Sequence, residues 1–201
     1  KLAAMLIRRG ARGKVSVMYQ AFDPDVMFAD NTEAAQQMVF VGTPRSDERR
    51  PVVNFAAQSG LPVQVWGNGW DQTEHSAFHA GGNVENDELG NLYRASSVVL
   101  NDHLVMMKRN DLISNRVYDA LACGRAVLSD ASDGLPPELV PFVHTYQDAQ
   151  SFKESAQNAL SESRERKAER LALADQMKQM HSFDQRAHQI CEKVGELLSV
   201  G

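Results

Sequence analysis

Residues 38–42 read MVFVG, a run with no polar side chain on either of its two alternating faces. A strand with one face in water alternates apolar and polar residues, whereas a continuous apolar run suits a parallel sheet covered on both sides. The same kind of segment returns at SVVLN (97–101) and AVLS (126–129), with PVQVWG (62–67) and FVHTY (142–146) as further strands and VSVMY (15–19) as a short first one. Helical patterns lie between them. One covers residues 48–59, with Pro51 tolerable in its first turn. A second is capped by Asn86 or Asp87 and carries Leu89, Leu92 and Tyr93 on one side. A third starts at Ser114 or Asn115, places Val117, Ala120 and Leu121 on one face, and stops at Gly124. Residues 70–80 read as a loop. From 148 onward helical composition dominates, and a final helix capped by Ser182 or Asp184 ends near 198. Strands alternating with helices predict βαβ units: a doubly wound, mostly parallel, Rossmann-like α/β sheet followed by C-terminal helices.

Composition narrows the function. The 201 residues carry a formal net charge of −5, which disfavours a nucleic-acid binder needing a positive surface. No apolar run approaches the length of a membrane span. Cys123 and Cys191 form neither a C-x-x-C pair nor a zinc spacing, which suits a reducing cytoplasm and excludes a disulfide scaffold. Residues 1–14 hold five basic side chains and no acid, read as a solvated helix end. The first residue is Lys1 rather than Met, so the chain is expected to be a fragment or processed product. The organisation expected is the end of a preceding domain and a linker over 1–25, a nucleotide-binding-type domain over 26–150, and helices over 151–201.

Several chemistries lack their signatures. Gly67-Asn-Gly69 opens like a dinucleotide fingerprint, but Gln72 stands at the third glycine position. No Walker A sequence or G-x-S-x-G elbow occurs. The informative stretch is 100–130, LNDHLVMMKRNDLISNRVYDALACGRAVLSD. In open α/β sheets ligands bind in loops at the carboxyl ends of strands. The turn Leu112, Ile113, Ser114 and Asn115, with Arg116 next, precedes a helix whose free N–H groups suit a phosphate or diphosphate. Asp111 and Asp119 flank that turn, and carboxylates accept strong hydrogen bonds from vicinal hydroxyls such as those of a ribose or hexose. The alternative pairs Asp119 with Arg116 or Arg125 and makes Asp111 a cap. Asn101 and His103, at the end of a central strand, are expected to face the cleft, His103 in the donor pocket.

These pieces, in this order, resemble the C-terminal donor domain of GT-B-fold group 1 glycosyltransferases of the spore-maturation CgeB-like type. QAFDPDV resembles the interdomain segment, MVFVGTPRSDERR the first strand and loop, and VQVWGNGW the next strand. GGNVENDELGNLYRASSVVLNDH, with Val84, resembles the base-side loop, helix and strand; ISNRVYDALACGRAVLSDASDGLPPEL resembles the nucleotide-sugar helix and its exit strand. The resemblance covers about residues 15–150. It implies an E-x7-E-type pair, here Asp111 and Asp119, with Asp119 on the ribose hydroxyls and Asp111 toward the donor sugar. It also implies an arginine after the strand-ending glycine; Gly42 is instead followed by Thr43, with Arg45 and Arg49 as candidate cations for the diphosphate leaving group. Of Arg49 and Arg50, one is read as an exposed helix start.

The expected catalytic set is therefore Asp111, His103 and Arg49, and the donor-binding set Gly42, Thr43, Arg45, Val84, Asn101, residues 112–116 and Asp119. A nucleotide-diphospho-sugar is the expected donor, with no further cofactor and no metal. Asp23-Pro-Asp25 has the letters of a metal motif, but it lies in the linker. The acceptor is expected to be held mainly by a missing N-terminal domain. A non-catalytic binding or assembly module, and a GT-B-fold nucleotide-sugar epimerase or hydrolase, are the alternatives.

Overall fold

Six parallel strands form one sheet in the computed structural model, which describes residues 1–11, 15–30, 32–44, 50–131 and 133–199. The strands are β1 (Ala35–Val41), β2 (Val63–Trp66), β3 (His79–Gly81), β4 (Ser96–Asn101), β5 (Ala126–Ser129) and β6 (Val143–Thr145). The helices are α1 (Leu2–Arg8), α2 (Pro51–Ser59), α3 (Asn86–Arg94), α4 (Val105–Arg109), α5 (Asn115–Ala122), α6 (Ala149–Leu160), α7 (Arg164–His181) and α8 (Phe183–Ser199). Spatial order is β3-β2-β1-β4-β5-β6, so the chain winds outward from β1 in one direction and then from β4 in the other. This is the expected doubly wound Rossmann-like architecture.

The apolar runs explain the layering. In β1, Met38 and Phe40 point to one face and Val39 to the other; Val98 and Leu100 oppose Val99 in β4, and Ala126 and Leu128 oppose Val127 in β5. One face packs against α2 and α6 through Val52, Val53, Ala56, Phe152 and Ala156. The other packs against α5 and α7 through Val117, Leu121, Leu173 and Met177. Burying both sides of the sheet in this way is the main stabilising term, at roughly 25 cal/mol per Å² of apolar surface.

The expected strand at 15–19 does not form. The six sheet positions are filled by other segments, and Val17, Met18 and Tyr19 lie exposed. The chain gains its burial a few residues later, through Phe22 and Met27, and Phe22 makes an isolated bridge to Ser182 at the α7–α8 junction. Arg186 of α8 ties the same segment down, donating to the carbonyls of Tyr19 and Gln20 at 2.8 and 3.0 Å. Residues 70–80, expected as a loop, end in the three-residue edge strand β3, and the expected polar loop after β4 contains α4. Both elements are too short for periodicity to reveal. Among the described residues no helix is long and apolar enough to cross a membrane.

Candidate functional site

The winding reverses between β1 and β4, and in open α/β sheets ligands bind in the crevice that the carboxyl ends leave at such a switch point. The backbone at its floor is tight. Gly67, φ +136°, stands so close to the Gly42 carbonyl that a Cβ would lie 2.3 Å from that oxygen. The same oxygen accepts the Trp70 indole N–H at 2.6 Å. Gly42 and Thr43 therefore form the fixed exit of β1, with Thr43 exposed. Arg45 and Arg49, expected as diphosphate cations, lie outside the described residues. Val84 lies half-buried in the β3–α3 loop. That loop is joined to the one after β2 by the Asn83 N–H, which donates to Asn68 Oδ1 at 3.0 Å.

Two guanidinium groups gather at the switch point. Arg50 lies 5.1 Å and Arg116 5.0 Å from the centroid of the Phe40 ring, where the aromatic face attracts both cations. Arg50 donates to the Thr43 carbonyl at 3.1 Å and pairs with Asp102 at 2.5 Å, its side chain only 11% exposed. It is therefore not the exposed helix start that one of the two adjacent arginines was expected to be. Arg116 donates to the Val41 carbonyl at 2.5 Å and to Asn101 Oδ1 at 3.2 Å, while its buried Nε has no hydrogen-bond partner. Arg116 thus bridges the ends of β1 and β4 through neutral acceptors only.

Asn101 and His103 were expected to face the cleft; the structure buries both, because their polar atoms are committed inward. Asn101 donates to Ser129 Oγ at 3.0 Å and holds Arg116. His103 Nδ1 lies 2.6 Å from Asp130 Oδ1, and His103 Nε2 accepts the Ser114 backbone N–H at 3.0 Å. An acceptor Nε2 fixes the neutral tautomer with its proton on Nδ1. With both ring nitrogens engaged and its side chain 0% exposed, His103 stands behind the site.

The turn before α5 is more selective than its sequence suggests. Leu112 N–H donates to the Met107 carbonyl at 2.9 Å and Ser114 N–H to His103, so those two amides are spent within the protein. The amides of Ile113 and Asn115 have no acceptor among the described residues. The Ile113 side chain is buried in the core and Leu112 is exposed, while Ser114 caps α5. Asn115 Oδ1 is buried without a partner.

The two acids differ. Asp111 takes a left-handed backbone, φ +55°, and pairs with Lys1 at 2.5 Å. The Lys1 hydrogen bond and charge hold its carboxyl below the usual range. Asp119, half-buried on α5, makes no side-chain hydrogen bond or ion pair among the described residues. Burial pushes its pKa up to about 7, and the attraction of Arg116 offsets only part of that. The expected alternative of an Asp119–Arg125 pair is not what the fold makes: Arg125 lies at the other end of the sheet, donating to the Thr32 carbonyl and facing Asp30.

Asp102 and Asp130 escaped the sequence reading. Each directly follows a strand with an apolar centre, and that position was the available signal. Among the described residues no group of three or more His, Cys, Asp or Glu side chains could hold a metal ion.

The family described as "Glycosyl transferase-like" matches residues 45–192, most of the chain. No curated protein matches significantly. Among solved structures, Alr3699/HepE of Anabaena in complex with UDP-glucose superposes with a TM-score of 0.69 at 13% identity, covering 96% of this chain and 61% of that one. The same protein with UDP and glucose gives 0.67 at 14% identity, covering 96% and 60%. The chain thus spans less than two thirds of that protein's length, and at such identity the likeness establishes the fold.

Proposed function

The chain belongs to the glycosyl transferase-like family, and from that membership we propose that its switch-point crevice binds the nucleotide-diphosphate part of a sugar donor. The observation that carries this reading is the pairing of opposite unfinished groups on one helix. Among the described residues, Arg116 at the start of α5 has a buried Nε without a partner, the amides of Ile113 and Asn115 in and after the preceding turn have no acceptor, and Asp119 one turn further makes no side-chain hydrogen bond or ion pair. A nucleotide presents anionic phosphates beside a ribose with two donor hydroxyls, and so completes both ends. Helix rise is about 1.5 Å per residue, which matches the phosphate-to-ribose spacing. The UDP-glucose held by the structurally similar Anabaena protein supports the same ligand class.

In this reading Gly42, Thr43 and the amides of Ile113 and Asn115 surround the diphosphate, with the α5 N-terminus favouring its charge. Arg50 and Arg116 supply the cations that stabilise the leaving group as the glycosidic bond breaks, without a metal ion. Asp119 accepts the ribose hydroxyls, Val84 lies on the base side, and Asp111 faces the sugar once released from Lys1. The acceptor is held mainly by protein outside this chain, and transfer retains anomeric configuration.

A thermal-shift panel of UDP, GDP, ADP and dTDP in EDTA tests the proposal, because a ligand that binds only the folded state raises its stability. At least one should raise the Tm, and its nucleoside should do so far less. No shift with any of the four would contradict it.

A further inference from the structure

The polar groups beneath α5 form an ordered chain rather than a loose cluster. Asp130, at the end of β5, receives the His103 backbone N–H at 3.2 Å and lies 2.6 Å from His103 Nδ1. Lys108 of α4 steadies the other carboxylate oxygen at 3.3 Å. Burial works against the charge on Asp130, but hydrogen bonding by His103 and the Lys108 charge hold its carboxyl below the usual range. His103 then presents its lone pair on Nε2 to the amide of Ser114, the residue that caps α5. Without Asp130 the imidazole could carry its proton on Nε2, which would set two donors face to face at 3.0 Å and push the α5 N-terminus away.

We propose that Asp130 is a positioning residue for the donor diphosphate: by fixing the His103 tautomer it fixes where the first turn of α5 stands. This rests on the donor-site reading above, since it assigns that turn to the phosphates. The relay joins the ends of β4 and β5 to the start of α5. The amides of Ile113 and Asn115 flank Ser114, so a shift of the Ser114 amide moves both. A dislocation of about 1 Å at a binding group is enough to lose most of a charge-assisted hydrogen bond. Asp130 itself does not touch the ligand, and its effect falls on the phosphates and spares the nucleoside.

Two measurements test it. Nitrogen-15 NMR of histidine-labelled wild type, without any nucleotide, should show His103 protonated at Nδ1 and bare at Nε2; a proton on Nε2 would overturn the relay. Titration with the nucleoside diphosphate giving the largest thermal shift should show about a tenfold loss in Asp130→Ala, with the nucleoside unchanged. Asp130→Asn keeps an oxygen that can accept from Nδ1 and should restore most of the affinity. Equal losses for nucleoside and diphosphate in Asp130→Ala, or no rescue by Asp130→Asn in a protein of unchanged Tm, would overturn the proposal. Absence of any nucleotide binding by wild type would instead remove the donor reading, and the NMR result would decide the relay alone.

Discussion

The two ends of the sheet handle buried charge in opposite ways. At the amino ends of β1, β4 and β5, around a cavity of about 310 Å³, cations meet acids. Arg94 lies 3.3 Å from Asp30, Arg125 lies 4.0 Å from the same carboxylate, and Arg170 pairs with Glu162, which also receives His144 at 2.9 Å. At the carboxyl ends Arg50 pairs with Asp102, and His103 and Lys108 both reach Asp130. Arg116 is held by a carbonyl and an amide oxygen, and Asp119 makes no side-chain hydrogen bond or ion pair among the described residues, with only the charge of Arg116 acting on it. Both ends bear several buried charges, so burial alone does not mark a site. What separates them is the acids: at the amino end Asp30 and Glu162 each face cations, whereas at the carboxyl end Asp119 makes no side-chain hydrogen bond or ion pair among the described residues.

The largest expected effect is at the amino ends. Arg170 and Glu162 are each 6% exposed, and removing one partner strands the other charge in the interior. Arg170→Met should cost about 3–5 kcal/mol of stability, read by urea denaturation, with nucleotide affinity of the folded protein unchanged. Loss of nucleotide binding by folded Arg170→Met would break the comparison. Next, Arg116→Ala should weaken the nucleoside diphosphate by about ten- to a hundredfold in titration, with a smaller effect on the nucleoside.

The two acids should also titrate with opposite signs. Glu162 is desolvated, but its hydrogen bonds to His144 and Arg170 and their charges hold its pKa below the usual 4.5. Its stabilisation is in place above that value and is lost as pH falls through its lower folded value. Asp119 is raised to about 7 by burial, so stability is lost as pH rises from the ordinary carboxyl value of 3.8 to about 7 and is regained on acidification. Asp119→Asn should therefore raise stability at pH 8 by about 1–2 kcal/mol, after discounting for solvent screening, and leave it unchanged near pH 4. Urea melts at the two values check this, and a loss of stability at pH 8 would mean that Asp119 has a structural partner. The smallest expected effect is that of EDTA, which should leave nucleotide affinity unchanged in titration.

Much of the fold was legible because its strands are apolar on both faces. MVFVG and SVVLN can be satisfied only between two helical layers, and that requirement fixed the doubly wound architecture. Short elements were not legible: β3 has three residues and α4 five, too few for a period to show. The 15–19 segment alternates like a strand, yet it pairs with neither edge strand, β3 or β6, which only tertiary structure decides. Within the site, the turn before α5 and the carboxyl of Asp119 were visible from spacing and resemblance. The inward commitment of His103 and Asn101 was not, because it depends on Asp130 and Ser129 from a strand 27 or 28 residues away. The expected cations Arg45 and Arg49 lie outside the described residues, and Arg50 and Arg116 occupy the crevice that the sequence had assigned to them.

The account stands on Asp119 as a carboxylate left open for the ribose. The most direct measurement is calorimetric titration, at pH 8, of the preferred ribonucleoside diphosphate and its 2′,3′-dideoxy analogue into wild type and Asp119→Ala. Wild type should prefer the ribonucleotide by about ten- to a hundredfold, and Asp119→Ala should lose that preference while binding the analogue as wild type does. Equal affinity of wild type for the two nucleotides would contradict the account.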